Sequence, residues 1–346
     1  MLRILDANLN RIGEGLRLLE DISRFLLNDP ELSQELKALR HDLLPRDQPF
    51  QEKLLRARQA EEDVGAFLNV EGERERPSAV SLVSANAQRI QQSLRVLEEI
   101  AKLPDQDFNL DWEKVKHARF AVYEMEQRLV SQLLRRDRAE RIAGLYLILD
   151  TQALGERSET EVALQAIEGG VRIVQLRDKM RAKSELVSIA QKLQSICAEH
   201  GALFIVNDHL DIALACDADG LHIGQEDLPL AIARKLMPSD KVIGCSTATL
   251  DEALQAQDQG ADYIAVGSIY PTPSKPGTRV AGLQTLRQVK KQASVPIVAI
   301  GGINEDNVQD VVEAGADAVA VIRAVLCADG VKEASQRLAT KTEIQR

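Results

Sequence analysis

The hydrophobic pattern changes character once along the chain. Up to about residue 140, apolar residues recur at helical spacing, as in Ile12, Leu16 and Leu19 and again in Ile90, Leu94 and Leu97. Nothing in this half alternates with period two over a useful length. Asn28-Asp29-Pro30 reads as a helix stop followed by a capped start, with Pro30 at the first helical position. Glu71–Pro77 reads as a polar connector. The charge run Arg135–Arg141 reads as a solvated helix end or linker, which places a boundary near 140.

The helical half repeats itself. Nine of the seventeen residues from 6 to 22 are identical to their counterparts from 84 to 100, and Lys37 and Arg40 are echoed by Lys116 and Arg119. This predicts a duplicated helical hairpin packed with pseudo-two-fold symmetry into one bundle over 1–140. The repeated polar residues are Asn8, Arg11, Arg17 and Glu20, with Asn86, Arg89, Arg95 and Glu98. They form either a polar pocket between the repeats or a duplicated set of interhelical ion pairs and solvated faces.

From Leu145 onward, short β-rich apolar runs alternate with helical stretches. The strands read as Leu145–Asp150, Ile173–Arg177, Leu203–Asn207, Gly220–Gly224, Val242–Ser246, Tyr263–Gly267, Pro296–Ile300 and Ala318–Ile322. Amphipathic helices lie between them, for example Lys183–Glu199 and Asn304–Ala314. Eight such units over 141–346 predict a (β/α)8 TIM barrel rather than a doubly wound sheet, and no GxGxxG follows the first strand. The fold class is therefore α/β, a C-terminal barrel preceded by an all-α domain.

Composition narrows the functions available. Of 346 residues, 45% are hydrophobic and 28% charged, ordinary for a globular protein. Aromatics are only 3%, so the cores must be aliphatic and base-stacking platforms are unexpected. The formal charge of −10 argues against nucleic-acid binding. With no run of ~18 apolar residues, no membrane span is expected. Met1–Asp6 lacks the apolar stretch of a secretory signal, so a cytoplasmic location is expected. Cys197, Cys216, Cys245 and Cys327 are widely spaced and read as reduced core thiols rather than disulfides or a zinc site.

Barrel chemistry belongs at the C-terminal ends of the strands, and the unusual polar residues gather there. They are Gln175-Leu176-Arg177-Asp178-Lys179, Asn207-Asp208, Gly224-Gln225-Glu226-Asp227, Ser246-Thr247, the loop Tyr270–Gly277, and Gly301-Gly302-Ile303. Asp208 and Asp227 at neighbouring strand ends suit Mg2+, a hard ion with oxygen ligands. Arg177, Lys179 and Lys275 add positive charge, completing a set suited to a diphosphate. Gly301-Gly302, read as preceding a helix, lets backbone N–H groups approach a second phosphate. Thr272 and Ser274 offer hydroxyl donors.

These motifs, with His222-Ile223-Gly224-Gln225-Glu226-Asp227, Ile243-Gly244-Cys245-Ser246-Thr247 and Thr272-Pro273-Ser274-Lys275-Pro276, resemble thiamine-phosphate synthase from about 143 to 330. The resemblance implies joining of an aminomethylpyrimidine diphosphate to a thiazole phosphate, giving thiamine monophosphate and pyrophosphate. It implies that Gln175, Lys179 and Asn207 hold the pyrimidine diphosphate, that Ser246 and Lys275 also contact it, and that Leu176, Arg177 and Asp178 are among the substrate-binding residues. Thr272, Ser274 and Gly302 are then expected to bind the thiazole phosphate, Ile322 matches a phosphate-contacting backbone position, and Pro273 and Arg323 are further substrate-binding positions. Arg323 stands where the family usually has Ser. Asp208 and Asp227 are the expected Mg2+ ligands, and Arg177, Lys179, Ser246 and Lys275 the groups that stabilise the departing charge.

The implied mechanism is dissociative, through a pyrimidine-stabilised carbocation captured by the thiazole nitrogen, with no general base and with loss of CO2 if the thiazole is carboxylated. His209 and His222, near the mouth, are read as packing or supporting residues, and His41, His117 and His200 as helical surface or interface residues. A thiazole tautomerase of the same fold and a non-catalytic thiamine-phosphate sensor are the alternatives. The helical half resembles a domain fused ahead of this synthase in some bacteria. It either handles a pyrimidine phosphate through the duplicated Asn and Arg residues or serves assembly. Oligomeric state is left open, a homo-oligomer included.

Overall fold

The structure is a computed structural model that describes residues 1–45, 47–58, 76–104, 110–272 and 279–342. It divides into two compact units, Met1–Leu134 and Arg135–Arg346.

The first unit contains α1 (Leu2–Asp21), α2 (Pro30–Leu43), α3 (Gln48–Ala57), α4 (Ala79–Ile100) and most of α5 (Trp112–Glu140). A π-helical turn, Ile22–Leu26, extends α1. Asp29 caps α2 by accepting from the Leu32 N–H at 2.9 Å, with Pro30 in the first turn, as the sequence predicts. The duplication is visible in the packing. Leu5, Leu9, Ile12, Leu16 and Leu19 of α1 are buried, and so are Val83, Ala87, Ile90, Leu94 and Leu97 at the corresponding places of α4. Both sets follow the four-three spacing that makes one apolar helix face. The two helices approach closely at Gly15, where a Cβ would lie 2.6 Å from the Ile90 side chain.

The polar part of the repeat is duplicated too. Asn8 donates to the Ile4 carbonyl and Asn86 to the Leu82 carbonyl, both at 2.8 Å. Buried Glu20 accepts from Arg40 at 2.8 Å, and buried Glu98 from Arg119 at 3.1 Å. Arg17 and Arg95 reach the same two carboxylates from the preceding turn. Glu20, Glu98 and their arginines thus pair with one another, and the pocket expectation narrows to the exposed Arg11 and Arg89.

In the second unit, β1 (Gly144–Asp150), β2 (Ile173–Arg177), β3 (Leu203–Asn207), β4 (Gly220–Ile223), β5 (Val242–Thr247), β6 (Tyr263–Gly267), β7 (Ile297–Ile300) and β8 (Ala318–Val321) form a closed parallel barrel in sequence order. Closure pairs Gly144 with Ala318. The outer layer runs α6 (Thr151–Leu154), α7 (Glu159–Glu168), α8 (Lys183–Glu199), α9 (Leu210–Ala215), α10 (Leu230–Leu236), α11 (Leu250–Asp258), α12 (Gly282–Gln292), α13 (Val308–Glu313), α14 (Arg323–Leu326) and α15 (Val331–Thr342). Strand alternation sorts the side chains. Leu145, Leu147 and Leu149 join the helix-facing core, while Tyr146 and Ile148 point into the barrel with Ile173, Leu203, Val242, Tyr263 and Ala265.

Three aspartates brace the N-terminal end of the barrel, where residues serve stability. Asp219, Asp262 and Asp317 each precede an even-numbered strand. They accept from the N–H of Phe204, Ile243 and Ile297, at the start of the preceding odd-numbered strand. Arg138 binds Asp219 and Asp240, both at 3.1 Å, and Arg135 reaches Asp262 at 3.5 Å.

Four expectations therefore change. Arg135 and Arg138 are not merely solvated, because acidic strand ends supply partners for them. Asn304–Ala314 is not all helix. Asn304 and Asn307 satisfy backbone N–H groups of their own turn, at 2.9 Å in each case, which competes with helix formation and delays α13 to Val308. The Gly301-Gly302 turn consequently does not lead straight into a helix. Cys327 is exposed, whereas the other three cysteines are buried and all four are free. His41 and His117 are exposed on helices as expected, while exposed His200 is the C-cap of α8. Residues 71–75 of the expected connector lie outside the described residues. No described helix is long and apolar enough to cross a membrane.

Candidate functional site

A cavity of about 350 Å³ opens at the C-terminal ends of the strands, within the range of small-molecule sites. Its walls include Gln175, Arg177, Lys179, Asn207, Asp208, Asp227, Ser246, Thr272, Gly302, Ile322 and Arg323 from the sequence analysis. Leu176 and Asp178 are not part of the lining. Period two on β2 turns Gln175 and Arg177 inward, so Leu176 enters the helix-facing core. The Asp178 carboxylate accepts from the N–H of Met180 at 2.7 Å and of Arg181 at 3.0 Å, shaping the loop. Pro273, Ser274 and Lys275 lie outside the described residues.

The acidic pair is the most polarised feature. Asp208 follows β3 with φ of 61°, a left-handed conformation uncommon for a residue with a side chain. Such strain concentrates at functional sites. The Asp208 N–H donates to the His222 carbonyl at 2.8 Å, which ties this conformation to β4. Asp227 accepts from the Gly224 N–H at 2.7 Å through Oδ2, closing its loop on itself. Asp208 and Asp227 are neighbours that both line this mouth. Burial and the neighbouring Asp227 push the Asp208 carboxyl up to about 6, against the opposing pull of Lys179 and His209. Lys179 Nζ is 3.9 Å from Asp208 and half exposed.

Arg177 is engaged differently from the expectation. It forms an ion pair with Asp150 at the end of β1. Asp150 also caps α6 by accepting from the Gln152 N–H at 3.0 Å. Arg177 therefore contributes a neutralised, rigidly placed fork rather than a loose positive charge. Across the cavity, Gly301 and Gly302 have φ of 104° and 68°. A Cβ on Gly302 would meet the Pro271 carbonyl oxygen at 2.7 Å, so a side chain there is excluded. Arg323 is exposed at the rim beside Ile322.

Below the mouth runs a polar chain that the sequence analysis missed. Gln175 Nε2 donates to the Tyr146 hydroxyl at 2.6 Å, and the two hydroxyls of Tyr146 and Tyr263 are 3.2 Å apart. The Tyr263 hydroxyl is 3.0 Å from His222 Nδ1, and His222 Nε2 is 2.8 Å from Ser246 Oγ. Burial raises the hydroxyl pKa of both tyrosines, so both remain protonated. The chain has only four tyrosines, and these two occupy inward strand positions, a signal that alternation could have exposed. Gly244 makes room for the Tyr263 ring, since a Cβ there would lie 2.0 Å from ring carbon Cζ. His222 thus has a supporting role, linking Tyr263 to Ser246, and His209 is the N-cap residue of α9.

A family model described as thiamine monophosphate synthase matches residues 145–325, which spans the barrel and this mouth. A second model, the ThiD2 family, matches residues 3–128. A thiamine-phosphate synthase of Thermosynechococcus vestitus is 42% identical over 94% of this chain and 90% of its own length. One from Synechocystis sp. is 42% identical over 98% and 95%. Among solved structures, a thiamine phosphate pyrophosphorylase from Pyrococcus furiosus is 40% identical with a TM-score of 0.55, covering 59% of this chain and 97% of its own. Matches this long include the helical unit as well as the barrel, and on them the chain belongs to the thiamine-phosphate synthase family, enzymes that make thiamine monophosphate.

Proposed function

We propose that the barrel transfers an aminopyrimidine methyl group from its diphosphate to the nitrogen of a thiazole phosphate or its carboxylated form. The observation that carries this reading is the Asp208–Asp227 pair beside Lys179, placed across one cavity from the Gly301-Gly302 turn. That arrangement offers two separate phosphate-binding ends.

The family works with a metal ion. Two neighbouring carboxylates, one of which raises the proton affinity of the other, form a donor set suited to a divalent cation, and Asp208 and Asp227 are the residues that would hold Mg2+. When bound, the ion would neutralise charge on the diphosphate. Lys179, Asn207 and Ser246 offer charge-assisted or neutral hydrogen bonds to the diphosphate oxygens, where negative charge grows as the C–O bond breaks. Lys275, which follows β6 in sequence, is assigned to the same group by its motif. Gln175 holds the pyrimidine, and the Arg177–Asp150 pair anchors the wall beside it. Gly302, Thr272 and Arg323 hold the thiazole phosphate from the opposite side, with Pro273, Ser274 and Ile322 completing that end by their motif positions.

With both ligands fixed, the thiazole nitrogen lies next to the carbocation, and C–N bond formation needs no general base. The walls of Ile148, Ala265, Val298 and Ile300 keep water from competing for the cation.

The test is turnover by the purified full chain with both substrates and Mg2+, following thiamine monophosphate and pyrophosphate. Asp208→Asn with Asp227→Asn is expected to lower kcat at least ~10²-fold while leaving the fold intact. Wild-type rates in that variant, or no turnover by a folded protein that binds both ligands, would overturn the reading.

A further inference from the structure

The buried chain from Gln175 to Ser246 has a direction. Gln175 Nε2 can only donate, so the Tyr146 hydroxyl accepts from it. Tyr146 then has one proton to give, and the Tyr263 oxygen is the acceptor beside it. Tyr263 in turn gives its proton to His222 Nδ1. A singly protonated imidazole that accepts at Nδ1 carries its proton on Nε2, and that proton goes to Ser246 Oγ. Ser246 accepts from below, which leaves its own proton to point elsewhere.

Reversing any one member reverses all of them. The two tyrosines are 1% and 0% exposed, so bulk solvent does not compete for these protons. Stacking of the His222 ring on Tyr263, with centroids 5.6 Å apart, holds the imidazole in register. Gln175 at one end and Ser246 at the other both line the cavity.

We propose that this chain is a polarity relay: Tyr146, Tyr263 and His222 are positioning residues that fix Ser246 as a hydrogen-bond donor and Gln175 as an acceptor toward the ligand. The relay deepens the proposed function and rests on its reading that the pyrimidine diphosphate spans Gln175 and Ser246. A ligand with a donor, such as an exocyclic amine, at Gln175 Oε1 and an anionic oxygen at Ser246 matches both ends. A ligand that presents an acceptor to Gln175 turns the amide over, reverses the chain and withdraws the Ser246 proton. Discrimination at the ring is thereby transmitted to the leaving-group end.

Two measurements test this. The first is 15N NMR of the full chain labelled at histidine, at a pH above the imidazole range, with the His222 signal assigned by its loss in His222→Asn. The expected state is neutral, with the proton on Nε2. The Nδ1–H tautomer or an imidazolium would overturn the relay, whether or not the enzyme turns over. The second is a kinetic cycle. Tyr263→Phe is expected to lower kcat/KM about tenfold in the wild-type background. In Ser246→Ala the same substitution is expected to cost clearly less, because the share of the effect transmitted to Ser246 is already lost. Equal losses in the two backgrounds would show a merely structural tyrosine and overturn the proposal. Tyr146→Phe breaks the chain one link earlier and serves if Tyr263→Phe does not fold.

Discussion

Gly244→Ala perturbs the barrel at a point where one methyl group has nowhere to go. The added Cβ would lie 2.0 Å from Tyr263 Cζ and 2.3 and 2.4 Å from two further ring carbons. Ordinary carbon contacts begin near 3.5 Å, so the ring must retreat by about 1.5 Å. It is fully buried, and its hydroxyl is held at 3.2 Å by Tyr146 and at 3.0 Å by His222. A retreat of that size carries both contacts beyond hydrogen-bond distance.

Overpacking costs about 1–3 kcal/mol, and a buried hydroxyl that loses its partners adds about 1–3 kcal/mol. The expected loss is therefore about 2–6 kcal/mol, or a drop in Tm of roughly 4–24 °C for a unit of this size. Calorimetry or thermal circular dichroism reads it directly. Tyr263→Leu in the same chain removes the obstructing ring, so the double variant is expected to be less destabilised than the two single losses added together. A Tm within about 1 °C of wild type for Gly244→Ala, or strict additivity in the double variant, would refute the steric argument.

Two further outcomes follow from the charged interior. Burial pushes the Glu98 carboxyl up, but Arg119, Lys102 and Arg95 outweigh it and hold it below its usual value. A carboxylate lowered in the folded state stabilises above the unfolded value of 4.5 and loses that contribution as pH falls below it. Glu98→Gln is thus expected to unfold earlier than wild type in urea at neutral pH, with the gap closing below about pH 4.5; a gap independent of pH would contradict this. Arg138→Ala leaves Asp219 and Asp240 without their shared guanidinium. A loss of about 1–3 kcal/mol is expected by denaturant unfolding, shrinking in the Asp240→Asn background, and full additivity there would count against the bridge.

Sequence by itself determined a good deal about this protein. Strand and helix periods were enough for the eight βα units, because each strand of a parallel barrel is a short apolar run with turn residues behind it. The 78-residue offset was enough for a repeated helix, and the same five apolar positions are buried in both copies. The mouth residues were legible because barrel topology sends every strand's C-terminal end to one place. Asp208 and Asp227 could therefore be paired across eighteen intervening residues without any structure.

What only tertiary structure decided concerns partners, which depend on distance in space rather than along the chain. That the repeated glutamates form ion pairs, leaving only Arg11 and Arg89 for a pocket, turned on Glu20 facing Arg40 and Glu98 facing Arg119. Arg177 reads as a free cation until Asp150 is seen beside it, and Arg138 as solvated until Asp219 and Asp240 are. The Gln175–Tyr146–Tyr263–His222–Ser246 chain draws on five strands, and although alternation turns its members inward, no local pattern shows that they meet. Patterns of hydrophobicity specify which face of an element is buried. Which polar groups then satisfy one another inside is decided by barrel closure, which brings opposite strands within hydrogen-bond reach.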